Sequence, residues 1–105
     1  MNLSTITYIG YGTLGDGVSC GSWTIFKNSN MLKVFMVLNI SKELTNDSII
    51  TKLNVTTNYN QFSNISSNNL PNAGIVSFNT NGELKTVFRL SEGEYRIDSI
   101  FILHI

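Results

Sequence analysis

The stretch GIVSFNTNGELKTVFRLSEGEYRIDSIFILHI, residues 74–105, decides how this chain is read. It opens as a β-hairpin, with residues 75–78 leading in and residues 83–90 leading out. A two-residue Asn81-Gly82 turn would pair Phe78 with Lys85 and mix polar and apolar side chains on each face. A three-residue loop of Thr80, Asn81 and Gly82, with Gly82 in the left-handed region, pairs Phe78 with Leu84 and Val76 with Thr86. That register gathers Val76, Phe78, Leu84 and Phe88 on one face and leaves Ser77, Lys85 and Arg89 on the other. Side chains alternate along a strand, so the apolar pattern fixes the register and selects the longer loop.

Glu92 and Gly93 turn the chain into a closing strand over residues 94–105. Its odd positions, Tyr95, Ile97, Ser99, Phe101, Leu103 and Ile105, form a core face. Its even face begins charged with Glu94, Arg96 and Asp98, then becomes apolar at Ile100 and Ile102 before His104. A strand apolar on both sides needs two covers. The pattern therefore predicts a β-domain that associates with copies of itself.

The rest of the chain supports an all-β reading. Residues 23–27 form a short strand, Asn28-Ser29-Asn30 a turn, and residues 31–40 a long strand. Leu32, Val34, Met36, Leu38 and Ile40 share one face of it, while Phe35 and Val37 lie on the other beside Met31 and Lys33. Residues 48–55 make a further strand with Ile49, Thr51, Leu53 and Val55 on one side. Residues 56–72 are polar, anchored at Tyr59, Phe62, Ile65 and Leu70, with a short strand near 59–63 and Pro71 leading into the hairpin. Residues 1–20 carry Gly10, Gly12, Gly15 and Gly17 and read as a lead-in, the end of a shaft or linker, ahead of a head domain over 21–105. No helical period is present. The expected fold is an antiparallel β-sandwich or jelly-roll-like barrel of about eight strands.

Composition narrows the function. A chain of 105 residues makes one domain, and 42% apolar residues suffice for its core. Only 13% of residues are charged and the net charge is zero, which argues against nucleic acid or an anionic membrane as partner. The apolar run at 31–40 is too short to span a bilayer. No basic segment precedes an apolar one at the start, so a secretory signal is not expected, and the Asn-x-Ser/Thr triplets are incidental. Cys20 and His104 are the only residues of their types. A thiolate cluster, an intrachain disulfide and a multi-histidine metal site are all excluded, and no cofactor is expected. Asn, Ser and Thr make up about a third of the chain. Such a polar, uncharged surface suits hydroxyl-rich ligands.

Several residues are candidates for chemistry. Glu92 and Glu94 flank Gly93; paired carboxylates can run glycoside hydrolysis when about 5–9 Å apart, or simply sit solvated in a turn. Asp98 and His104 are six residues apart on one strand, about 20 Å, so they cannot share a catalytic hydrogen bond. Arg96 and Asp98 lie about 7 Å apart on one face. They can bind sugar hydroxyls, pair with each other, or pair across a subunit contact. Tyr59 and Tyr95 combine a flat apolar face with a hydroxyl, as saccharide platforms do. Trp23 can stack on a sugar ring or belong to the core, and His104 can serve as ligand contact or packed residue.

From Gly21 onward the order of features resembles the C-terminal head domains of bacteriophage tail fibres and baseplate receptor-binding proteins. The matching features are a tryptophan-led strand (Trp23-Thr24-Ile25-Phe26), the turn at Asn28-Ser29-Asn30 and the apolar strand 31–40. Leu70-Pro71, the Thr80-Asn81-Gly82 hairpin and a final strand complete them. The chain departs from the family where Asn72-Ala73-Gly74 replaces a Gly-Tyr-Arg-Pro-like run. The resemblance implies a homotrimeric head at the tip of a fibre on the virion, binding a host-surface saccharide without catalysis. A ligand-free trimerisation cap or baseplate part is the alternative, with a small glycan depolymerase behind it.

Overall fold

A computed structural model describes residues 6–104. They form nine antiparallel strands and no helix: β1 (Ile6–Ile9), β2 (Thr13–Leu14), β3 (Val18–Asn28), β4 (Met31–Ile40), β5 (Ile49–Lys52), β6 (Gln61–Ser67), β7 (Gly74–Phe78), β8 (Glu83–Thr86) and β9 (Gly93–Ile102). All belong to one sheet, in the order β1-β3-β4-β9-β6-β7-β8-β5-β2. The sheet curls into a half-barrel. Phe78 of β7 and Phe101 of β9 are not on neighbouring strands, yet their rings meet at 5.0 Å across the interior.

The central strands follow the alternation in the sequence. Leu32, Val34, Met36, Leu38 and Ile40 are each at most 1% exposed, and β9 sends Tyr95, Ile97, Ser99 and Phe101 to the same interior, with Leu103 just beyond the strand. The hairpin has the expected register, Val76 opposite Thr86 and Phe78 opposite Leu84. Its loop turns on Gly82 at φ +87°, where a Cβ would lie 2.3 Å from the Val55 carbonyl oxygen. Only glycine fits there.

Asn79 locks this loop from the side. The Glu83 N–H donates to Asn79 Oδ1 at 3.1 Å, and Asn79 Nδ2 donates to Glu83 Oε1 at 3.3 Å. Hydrogen bonds from Asn79 and then Asn81 hold the Glu83 carboxyl below the usual carboxylate range. A carboxyl lowered in the folded state stabilises above its unfolded pKa, and that contribution disappears as pH falls through the folded value. Acidification is therefore expected to lower the protection of the amides in the 79–83 loop, exchange being compared with the intrinsic rate at each pH. A Glu83→Gln variant should lose this pH dependence.

Four expectations are corrected by the structure. Ile49 faces outward, opposite Lys85, because a bulge between Ile49 and Thr51 shifts the register; Ile50, Thr51 and Leu53 are the buried residues. Phe88 is 55% exposed rather than core, since the chain leaves the β7 ladder after the Val87 N–H donates to the Ile75 carbonyl at 2.8 Å, where the Thr86 hydroxyl donates to the Phe88 carbonyl. Phe62 and Leu70 are exposed, leaving Ile65 as the buried anchor of its segment. The strand expected near 59–63 runs instead from Gln61 to Ser67.

Residues 6–17 tie the two sheet edges together. β1 lies at one edge beside β3, and β2 at the other beside β5. Beyond β2 the Gly15 N–H donates to the Ile50 carbonyl at 2.9 Å, and the Ser41 N–H donates to Gly17 at 2.9 Å. At one end of the barrel Leu44 and Leu90 exchange backbone hydrogen bonds of 2.8 and 3.0 Å. Among the described residues every buried polar side chain has a hydrogen-bond partner.

Candidate ligand-binding site

Two loops meet at the end of the barrel where β9 begins. One joins β6 to β7 over residues 68–73, and the other joins β8 to β9 over residues 87–92. They are neighbours because Ser67, the last residue of β6, pairs with Tyr95 near the start of β9. Both are held by local hydrogen bonds. The Ser67 N–H donates to Leu70 at 2.9 Å, the Leu70 N–H returns to Ser67 Oγ at 3.2 Å, and the Ala73 N–H donates to Ile65 at 2.8 Å. On the other wall the Tyr95 hydroxyl donates to the Ser91 carbonyl at 2.8 Å and lies 3.2 Å from Ser91 Oγ.

Between the loops is a cleft of about 380 Å³. The amides of Asn68 and Asn69 and the hydroxyl of Ser67 line one side, and Arg89, Glu92 and Glu94 the other. Leu70, 58% exposed, supplies an apolar patch at the rim. Arg89 reaches Glu43 at 3.0 Å, whereas neither Glu92 nor Glu94 has a cation within 4 Å among the described residues. The cleft thus offers amide donors and acceptors, hydroxyls and two unpaired carboxylates around a small apolar surface. Those groups can hold several hydroxyls of a bound molecule at once.

The residues singled out from sequence do not converge on one place. Tyr95 lines the cleft, but it is 6% exposed with its hydroxyl committed to Ser91, so it is a wall rather than an open platform. Arg96 projects from the next exposed position of β9, beside Ser66. Asp98 pairs with Lys33 across β4 and not with Arg96. Trp23 is half exposed and stands edge-on to Tyr11, with ring centroids 4.6 Å apart. Tyr59 and His104 lie at the far end of β9, about 30 Å from Tyr95 by strand rise. There the Asn58 N–H donates to Leu103 at 3.0 Å, and the His104 N–H donates to Asn30 Oδ1 at 2.7 Å.

Sequence reasoning missed Asn68, Asn69, Arg89 and Ser91 as cleft residues. Asn68-Asn69 before Leu70-Pro71 does mark a turn, as Glu92-Gly93 does. That the two turns face each other follows only from the β6–β9 pairing.

A larger cleft of about 590 Å³ lies between β2, β5 and the loop after β4. Leu14, Leu44 and Ile49 give it an apolar floor, and the Asp16–Lys42 ion pair stands at its rim. Its polar groups are largely engaged with each other, which leaves fewer free donors and acceptors than the smaller cleft has. Cys20 is partly buried, and burial pushes its thiol up, away from the reactive thiolate. No group of three His, Cys, Asp or Glu side chains gathers among the described residues, and no helix there is long and apolar enough to cross a membrane.

No protein-family model, curated protein or solved structure matches this chain.

Proposed function

We propose that this domain is a non-catalytic adhesion module that binds a neutral, hydroxyl-rich saccharide in the cleft between residues 67–73 and 89–95. The observation that carries the reading is the lining of that cleft: paired asparagine amides, serine hydroxyls and unpaired carboxylates beside an exposed leucine. Sugars are bound by such mixtures of amide and carboxylate hydrogen bonds with apolar contact. The chain's zero net charge agrees with a neutral ligand. The resemblance to phage tail-fibre and baseplate heads adds the setting: the tip of a fibre on a virion, a host-surface saccharide, and several heads on one shaft. Linked sites of this kind raise overall binding by roughly 10²–10⁴ without new contacts.

The test is adsorption to host cells or a glycan array with an Asn68→Ala/Glu94→Gln variant, its folding checked by thermal melting. A neutral hydrogen bond is worth about 1 kcal/mol and one to a charged group about 1.5–3 kcal/mol. Affinity should therefore fall by about 50-fold or more, at about 1.4 kcal/mol per tenfold. Unchanged adsorption would place the site elsewhere. Binding that collapses on raising salt would make the ligand charged, and release of reducing sugar would make the domain an enzyme.

The second reading, a ligand-free cap that holds copies of the chain together, is favoured by a different observation, the apolar outer face of the sheet.

A further inference from the structure

The outer face of β1, β3, β4, β9 and β6 carries an apolar field that the fold itself leaves uncovered. Residues opposite one another in antiparallel strands point to the same side, so the registers place Tyr8, Phe26, Lys33 and Ile100 in one outward row. The β6–β9 register, continued by the 2.5 Å Ser63–Ser99 hydroxyl contact, sets Phe62 next to Ile100. Asn28, Met31 and Ile102 form the row on one side, and Thr24, Phe35 and Asp98 the row on the other. Tyr8 is 72% exposed, Phe62 68%, Ile100 56% and Ile102 39%.

We infer that this face is where a second copy of the chain packs, burying Tyr8, Phe62, Ile100 and Ile102 of both. Three observations select a second copy as the occupant. The first is area. A large apolar side chain presents about 150–250 Å², so these four leave on the order of 400 Å² uncovered, as much as the largest patch of a typical monomer. Partly buried Phe26, Met31 and Phe35 fill the gaps, and a polar rim of Thr24, Asn64 and Ser66 carries the surface toward the roughly 800 Å² per partner of a stable interface.

The second is charge. Lys33, in the middle of the field, is neutralised within its own chain by Asp98. Arg96, exposed beside Ser66 at the rim, is the cation of this face without an ion pair among the described residues. The field itself carries no net charge and meets its own copy without repulsion, whereas an acidic partner or an anionic lipid surface would call for several unpaired cations. The third is the adjoining edge. Among the described residues β1 pairs only with β3, and its Ile6-Thr7-Tyr8-Ile9 carries no lysine, proline or bulge to discourage pairing.

This inference stands apart from the saccharide reading, and one experiment separates them. The full chain, a Phe62→Ser/Ile100→Glu variant and a Phe88→Ser control, which alters an exposed aromatic off this face, are compared by light scattering at micromolar concentration. Circular dichroism and thermal melting verify folding, and saccharide affinity per subunit is measured in parallel. The parent and the Phe88→Ser control should show two or three times the 11.7 kDa chain mass. The double variant should fall to 11.7 kDa while keeping its per-subunit saccharide affinity. A parent that runs as a monomer, or a double variant that stays assembled, overturns the inference. So does a monomeric parent that floats with lipid vesicles, because the face then meets a bilayer. Assembly as expected with no saccharide bound by any form removes the proposed function and leaves the interface standing.

Discussion

Phe101→Ala is expected to lower the unfolding free energy by about 3–5 kcal/mol, a large part of the 5–15 kcal/mol that stabilises a small domain. Phe101 is 1% exposed, and its ring lies 5.0 Å from that of Phe78 at an interplanar angle of 37°. In the sheet β6 separates their two strands, so this contact reaches over an intervening strand on the concave side of the curled sheet. Truncation leaves a cavity bounded by strands that cannot collapse without uncurling the sheet. Phe101→Leu keeps most of the volume and should cost no more than about 1.5 kcal/mol. Urea denaturation of the three proteins checks both values. A loss below 1 kcal/mol for the alanine variant would mean that the two rings do not pack together.

Gly12→Ala should rank next, at about 2–5 kcal/mol, and its effect should be local. Between Ile9 and Thr13 the chain passes from one sheet edge to the other, and four residues reach at most about 14 Å. Gly12 has φ +74°, and a Cβ there would lie 1.8 Å from the Lys52 carbonyl oxygen. An alanine held in the left-handed region costs about 1–2 kcal/mol, and its Cβ must push β2 from β5. Thr51 is fully buried, and its hydroxyl is held by the Tyr11 carbonyl and, at 3.2 Å, by that of Thr13. Losing those acceptors leaves a buried hydroxyl unpaired, at about 1–3 kcal/mol. Hydrogen exchange should show the loss of protection concentrated in β2 and β5, with β4 and β9 unaffected. Gly10→Ala is the control, because nothing lies within 4 Å of a Cβ at that position.

The contrast between β4 and β3 shows what the sequence made legible. Unbroken alternation from Leu32 to Ile40, and again from Tyr95 to Leu103, fixed the buried faces, because period-two patterning is local, although the closing strand expected over 94–105 ends at Ile102. The hairpin was equally readable, since the flanking apolar residues select one register and Gly82 supplies the left-handed residue that its three-residue loop needs. β3 was not. A bulge between Cys20 and Ser22 brings both Cys20 and Trp23 opposite the inward residues Leu38 and Met36, against simple alternation. The bulge between Ile49 and Thr51 likewise turned Ile49 outward. Such irregularities are set by pairing with a distant strand, and no window of sequence contains them.

The same distinction governs the site. Glu94 stood out as half of an acidic pair, Tyr95 as a saccharide platform, and Arg96 and Asp98 as neighbours on one strand face; all four share β9. Of these only Glu94 and Tyr95 line the cleft, and the residues across from them, Asn68 and Asn69, are about 25 positions away in the chain and reach it through the β6–β9 ladder. The first twenty residues, read as a lead-in, hold β1 and β2 at opposite edges of the sheet from residue 6 onward. Their short glycine-separated pieces carry too little periodicity to announce a role that depends on the curl of the whole sheet.

The reading of the cleft stands or falls on where a saccharide touches the domain. Titrating the isotopically labelled chain with oligosaccharides from the host surface, and following its backbone amide resonances, measures this residue by residue. The expected result is a set of shifts concentrated at residues 67–73 and 89–95, largely insensitive to salt, with residues 59 and 104 unmoved. Shifts clustered around Tyr59 and His104, or at the larger cleft near Leu14 and Ile49, or none with any saccharide, would contradict it.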